Sequence, residues 1–430
     1  MDTVWTPTKK KKKESLGGAF FWLSAFYFVY CARPTDLIPF LAFVPLAKIT
    51  GGLAALSLLF AAGKTPRKFR DRPKEANYLL IIIALLFASG FLSPIWRGGA
   101  VSATIDFAKV YIAWILSFLL ITNLSRLRRI NFLQSASVAV VSLAALVKGH
   151  SIPRLSGVIG GFYSNPNDMA FAIVLSLPFC VAFLLTAKGG LRRALWSFGI
   201  VSMMVALFLT ASRAGFIDLV ISGTVCLWNF GIKGKRLYLI VATLFLGVVL
   251  VPVAGRTLIK RFAVISGGTV DSKIEISAYG SYEERKLLMV QALNAIVHYP
   301  ILGVGVGNFA EYSGMWKDVH ASYLQIAAEG GLPVLVFYLL FFSRGFANLR
   351  WLGEQEHLSR EADLFRGALK ASLVGFVVGA CFAPEAYQFF PYFTVGYTSV
   401  LLAMSKEHAL VDREPARPPT IAVRALAGAY

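Results

Sequence analysis

Apolar runs of helix-spanning length recur along this sequence, separated by short segments rich in lysine and arginine. The hydrocarbon core of a bilayer takes about 20 apolar residues per helix, and within it every backbone N–H and C=O must be paired inside the protein. With 57% hydrophobic and 15% charged residues over 430 positions, the chain lacks the polar surface that a soluble protein of this length needs. The expectation is an all-α polytopic membrane protein. Its first apolar run, "AFFWLSAFYFVYCARP", follows "TPTKKKKKESLGG" without a small-residue cleavage pattern, so it reads as a retained helix.

The formal charge of +20 points to orientation in a membrane and not to nucleic acid. Threading the runs back and forth puts the pentalysine at 9–13, "KTPRKFRDRPKE", "SRLRR", "KGGLRR", "GIKGKR" and the polar stretch 343–366 on one side. Basic clusters mark the cytoplasmic side. The reading is about twelve transmembrane helices with both termini cytoplasmic. Nine fall within residues 1–254, a long outer (periplasmic) loop covers 255–319, three more helices fall within 320–404, and 405–430 is a cytoplasmic tail. The cysteines show no CxxC or metal-ligand spacing. Cys180 and Cys226 read as apolar fillers, and no spacing argues for a disulfide between Cys31 and Cys381.

The outer face then collects the residues able to do chemistry. In "GSYEERKLLMVQALNAIVHYP", Ser281 precedes Glu284 by three positions, a capping-box pattern, and Leu288, Met289, Ala292 and Ile296 recur at helical spacing. An amphipathic helix is expected in the long loop, with Arg285 in its first turn, where the helix dipole disfavours a cation. Gly303, Gly305 and Gly307 alternate, but no Lys-Ser/Thr follows, so a tight turn fits better than a phosphate loop. Arg213 sits in "TASRAG" between two apolar runs and must pair or face a polar cavity, with Asp218 as the structural alternative partner. Asp106 and Lys109 read as an internal pair, and His150 as a surface histidine. Two arginines can hold a pyrophosphate, and a histidine such as His320 can accept a hydroxyl proton near neutral pH. No outer-face cluster has metal-ligand spacing, since His320 and Glu329 lack a third partner; no metal or cofactor is expected.

"RPTDLIP", "GGFYSNPNDMA", "TASRAGF", "ERKLLMVQALNAIVHYPILGVGVGNF" and "HASYLQIAAEGG", in this order, resemble the hallmarks of the O-antigen ligase and polymerase superfamily of bacterial envelope glycosyltransferases. The resemblance implies a metal-independent, inverting transferase of the GT-C type. Arg213 and Arg285 would bind the pyrophosphate of an undecaprenyl-linked glycan donor, and His320 would deprotonate or orient the acceptor hydroxyl. Arg154, Asn165, Asn167, Tyr323 and Glu329 would line the substrate site, with Glu329 orienting it or capping the loop. The implied acceptor is a lipid A core sugar, another glycan or a protein, and membrane lipids surround the whole. Ala321 stands where the family usually has asparagine, which bears on acceptor choice. Val334 stands where a glycine is usual and reads as a packing change. A polymerase or a protein O-oligosaccharyltransferase is the alternative within the same chemistry. A secondary transporter or flippase is the alternative outside it, but the two halves of the chain show no repeat and the notable charges gather at one face.

Overall fold

The structure is a computed structural model that describes residues 16–61, 65–148, 154–156, 163, 165–264, 273–355 and 358–413. The pentalysine, His150 and most of the expected tail lie outside the described residues. Among those described, all regular structure is helical.

The first half of the chain contains α1 (Gly17–Ala32), the single turn α2 (Pro34–Leu37), α3 (Leu46–Phe60), α4 (Lys74–Phe91), α5 (Arg97–Leu120), α6 (Leu124–Lys148), α7 (Pro166–Thr186) and α8 (Gly190–Thr210). There follow α9 (Arg213–Leu227), α10 (Tyr238–Ala254), α11 (Arg256–Ala263), α12 (Lys273–His298) and the short α13 (Phe309–Tyr312). The chain closes with α14 (Ser322–Gly330), α15 (Leu332–Gly353), α16 (Arg360–Gly379) and α17 (Phe389–Arg413). Each of the twelve apolar runs read from the sequence is helical. Among the described residues, seven helices are long and apolar enough to cross a membrane, or eight if the bent pair α10–α11 is one span; α1 and α3 are shorter apolar helices. The protein is therefore a polytopic membrane protein.

The bundle is built around α7, which packs against α6, α8, α9 and α16. Asn165 caps it, its Oδ1 accepting from the Asn167 N–H at 2.9 Å, and Pro166 occupies the first turn, where its missing N–H costs nothing. A second group, α4, α5, α15 and α17, closes the other side. Below, Arg67 donates to the carbonyls of Phe118 and Ile121, both at 2.9 Å, and pairs with Glu407 at 2.7 Å. The basic turn before α4 is thus tied to the ends of α5 and α17. Asp106 and Lys109 do form the expected i,i+3 ion pair, but on the exposed face of α5 and not inside the bundle. The four cysteines are free thiols.

The segment from α11 to α14 forms a cap over one end of the bundle. Its core is a separate apolar cluster: Leu288, Ala292 and Ala295 of α12 with Val304, Phe309, Val319 and Ala328. The expected amphipathic helix exists, but its start needs correcting. α12 runs without a break from Lys273 through Ser281 to His298, so Ser281 caps nothing and Arg285 is far from the first turn. Nothing in 273–280 breaks a helix strongly enough to favour a start at Ser281, and a single Gly280 costs only about 1 kcal/mol. Glu284 pairs instead with Lys317. Met289 faces outward while Leu288 is buried.

The glycine turn wraps the end of α14. Gly303, Gly305 and Gly307 all have positive φ (64°, 99° and 75°). Val304 N–H donates to Ala328 O and Gly305 N–H to Glu329 O, each at 2.9 Å, and Leu332 N–H donates to Pro300 O at 2.8 Å. These amides satisfy helix-end carbonyls, so they are not free to cradle a phosphate. A Cβ on Gly303 would lie 2.4 Å from the Glu329 carbonyl carbon. Gly303→Ala should therefore lower the thermal midpoint sharply, by the equivalent of about 2 kcal/mol or more. Gly280, on the open side of α12, has nothing within 4 Å of such a Cβ. Gly280→Ala should leave the midpoint unchanged or raise it, and a melting curve of each variant in detergent decides.

Candidate functional site

The corner between α8 and α9 organises the site. Ala211 takes a left-handed conformation (φ 48°), and Ser212 caps α9, its Oγ accepting from Gly215 N–H at 3.2 Å. A Cβ at Gly215 would sit 2.6 Å from that of Ala170, so glycine lets α9 press against α7. Asn167 locks the corner to the start of α7: its Oδ1 accepts from Ser212 Oγ at 2.9 Å and from Arg154 Nη2 at 3.0 Å. Arg154 Nε donates to Thr210 O at 2.9 Å. Asn165 and Asn167, expected at the substrate, thus have their side-chain oxygens engaged in capping and clamping.

Arg213, the first residue of α9, is 8% exposed, and its Nη1 donates to the carbonyl of Arg261 at 3.2 Å. Asp218 is not its partner: that carboxylate faces α16, where a Cβ on Gly379 would meet Asp218 Oδ2 at 2.1 Å. Five residues along a helix is about 500° of rotation, which takes Asp218 off the Arg213 face.

Four guanidinium groups gather here: Arg154, Arg213, Arg261 on α11 and Arg285 on α12. Burial, then Arg261, Arg285 and Arg213, bring Arg154 down to about 10. Burial and then Arg213 likewise lower Arg285. None of the four has a carboxylate at ion-pair distance among the described residues. The Nε atoms of Arg261 and Arg285 are buried without a hydrogen-bond partner among the described residues. Arg261 escaped the sequence reading. In "GRTLIKRF" it looks like one more basic residue, and only the bend of 79° between α10 and α11 turns it toward Arg213.

His320 lies just before α14, half-buried. Its Nδ1 is 3.1 Å from Asp318 O. A carbonyl can only accept, which assigns the hydrogen to Nδ1 and leaves the Nε2 lone pair free. Burial, and then the charge of Arg285, hold the imidazole below its ordinary pKa. This favours the uncharged imidazole near neutral pH.

The rest of the expected set supports α14. Tyr323 donates to Val377 O at 2.8 Å, tying α14 to α16. Ser322 N–H donates to Ala380 O at 2.7 Å, and its Oγ donates to Ala383 O at 2.6 Å. Ala321 is the N-cap of α14 and supplies no side-chain acceptor. An asparagine there would cap the helix, so the substitution removes a cap beside the base. Val334 is fully buried, 3.0 Å from where a Cβ on Gly330 would lie, which makes the change at 334 one of packing.

Glu329 is fully buried and has no partner at hydrogen-bond distance for either oxygen. Burial and the nearby Asp318 push it up to about 8, against smaller opposite effects of Tyr387 and the Gly307 and Phe309 amides. Its carboxyl is therefore mostly protonated at neutral pH. No group of three or more His, Cys, Asp or Glu side chains among the described residues is arranged to hold a metal ion.

Residues 198–339 match the family model described as O-antigen ligase. The matched region contains Arg213, Arg261, Arg285, His320, Tyr323 and Glu329; Arg154, Asn165 and Asn167 precede it. The match covers about a third of the chain and agrees with the resemblance read from the sequence. A search of curated proteins finds no match.

A neutral Glu329 predicts a specific tolerance. Glu329→Gln, which keeps the shape and a donor, should melt close to the parent protein. Glu329→Ala leaves a cavity under the glycine turn and should lose about 2 kcal/mol or more. Equal losses in the two variants would show that the carboxylate charge itself matters.

Proposed function

We propose that this protein moves a glycan from undecaprenyl pyrophosphate to an acceptor hydroxyl on the periplasmic face of the bacterial inner membrane, as a ligase of the GT-C type. The observation that carries this reading is the cluster of four arginines without a carboxylate at ion-pair distance among the described residues, beside a histidine held below its ordinary pKa. Such a cluster is costly to assemble unless an anion completes it, and pyrophosphate matches the planar donor forks of arginine.

In the reaction, the acceptor hydroxyl gives its proton to His320 Nε2 as its oxygen attacks the anomeric carbon. The bond from that carbon to the pyrophosphate oxygen breaks on the opposite face, which inverts the configuration. The electron pair leaves with the pyrophosphate, where Arg213 and Arg285, helped by Arg154 and Arg261, neutralise the growing charge. No metal is required by this scheme. The placement of the charged groups at one end of α8, rather than at mid-span, favours a transferase over a transporter. The cap formed by α11–α14 itself carries Arg261, Arg285 and His320.

Transfer assays and donor binding on matched variants test the roles. His320→Ala should keep its thermal midpoint and bind the undecaprenyl-pyrophosphate donor, while turnover falls by roughly 10²–10⁴-fold. Arg213→Gln and Arg285→Gln should lose donor binding as well. A His320→Ala that transfers at the parent rate ends the assignment. The pH profile adds a signed check. The base form of His320 is lost as pH falls through its pKa, so the acid limb should lie below the ordinary histidine value of about 6.5. Arg285→Gln removes a positive charge and should move that limb to higher pH, whereas Arg285→Lys should leave it in place.

Sidedness has its own measurement. Single cysteines at exposed positions of α12 should react with an impermeant thiol reagent from the periplasm. Cysteines within 65–71 should react only from the cytoplasm. Labelling of α12 from the cytoplasm alone would overturn the placement of the site.

A further inference from the structure

A groove of about 940 Å³ runs between α6 and α8, and it opens at the end of the bundle opposite the arginine cluster. α8 spans the distance between the two: Arg154 is bonded at its last residue, Thr210, and the groove begins at its first turn. Its length corresponds to about 30 Å, the thickness of a bilayer core. The groove and the candidate active site therefore face opposite sides of the membrane.

The floor is aromatic. Phe183 and Trp196 stack with centroids 4.9 Å apart, and Phe132 meets Phe183 edge-on at 5.9 Å and Trp196 at 5.7 Å. The walls are apolar out to Val140 and Leu143. From Arg128 to Leu143 the wall on α6 rises about 22 Å, enough to take a chain through one leaflet. Close approach of the helices supplies the narrow base, since a Cβ on Gly199 would lie 3.5 Å from that of Ala139.

The mouth is cationic. Arg128, Arg129, Lys188 and Arg192 rim it. One acid is present, Glu361, and it pairs with Arg128 at 3.1 Å. Arg129 instead lies over the Phe20 ring at 5.9 Å, and neither it nor Lys188 nor Arg192 has a carboxylate at ion-pair distance among the described residues. The N-termini of α6 and α8 both open at this mouth, so helix dipoles add to the positive potential. Apolar length ending in uncompensated cations is the complement of one ligand chemistry.

We propose that this groove binds an anionic glycerophospholipid of the leaflet opposite the active site, its phosphate at Arg129, Lys188 and Arg192 and an acyl chain along Phe132, Phe183 and Trp196. The site is distinct from that of the glycan donor, whose pyrophosphate belongs at the far end of α8. It does not depend on the transfer reaction and would stand if that reading failed.

Native mass spectrometry of the full chain in detergent, titrated with phosphatidylglycerol or with phosphatidylcholine of the same chains, tests it. Phosphatidylglycerol should bind at least tenfold more tightly. Replacing Arg129, Lys188 and Arg192 together by glutamine should weaken it by roughly a hundredfold, at about fivefold per cation, while Arg129→Lys with Arg192→Lys should keep the preference. Val140→Trp fills the groove with every charge in place and should also abolish tight binding. Equal affinity for the two lipids in the parent protein overturns the proposal. So does any result in which only the charge variant or only Val140→Trp loses binding, because cations and groove would then act separately. All four positions are exposed or at the groove rim. Should the triple variant melt early, the comparison of lipids in the parent and Val140→Trp still decides.

Discussion

Like charges in a partly buried place repel, and the end of this bundle holds four of them. Arg154, Arg213, Arg261 and Arg285 come from four separate stretches of chain; burial lowers the pKa of Arg154, Arg261 and Arg285, and the charges of Arg213 and Arg285 further lower Arg154 and Arg261. Their gathering has to be held by something stronger than the repulsion. That restraint is the corner at Ala211–Ser212, capped by its own serine and clamped to α7 through Asn167. The cap of α11–α14, anchored by its own apolar cluster, carries Arg261 and Arg285 to the same place. Folding energy spent elsewhere holds these cations together without a carboxylate at ion-pair distance among the described residues.

The same economy explains the residues around His320. Tyr323, Ser322 and the glycine turn hold α14 at both ends, against α16 and against the chain that precedes it. Glu329 sits beneath that turn as a neutral acid. Polar residues that look like substrate contacts in the sequence are, in this fold, the scaffold that aims a smaller set.

The two ends of α8 illustrate how one helix can serve both membrane faces. One end carries the corner that presents Arg213. The other opens into a groove where, among the described residues, only Arg128 of the four rim cations meets an acid, Glu361. Both are electropositive, but they differ in what lies beside the charge. At the active end it is polar backbone and a histidine, suited to pyrophosphate chemistry. At the other it is an aromatic floor, suited to an acyl chain.

Much of this was written in local pattern. The apolar runs marked each long helix, because a membrane allows only helices or closed barrels and the period is carried by consecutive residues. Basic turns, the Ser-Arg-x-Gly corner and the candidate base were equally visible, since each is a short-range feature of chain chemistry. Three things were not. The start of α12 was misread at Ser281, because a capping pattern and a continuing helix share the same residues and packing chooses between them. The pairing of Arg213 with Asp218 failed on helix rotation, a matter of direction and not of sequence distance. Arg261 was invisible, since an arginine in a basic stretch becomes part of a site only when a bend brings it within reach of others far along the chain. The sequence by itself determined which segments are helices and which residues could do chemistry. Only the tertiary structure decided which of them meet, because convergence of Arg154, Arg213, Arg261, Arg285 and His320 depends on long-range packing that no local window contains.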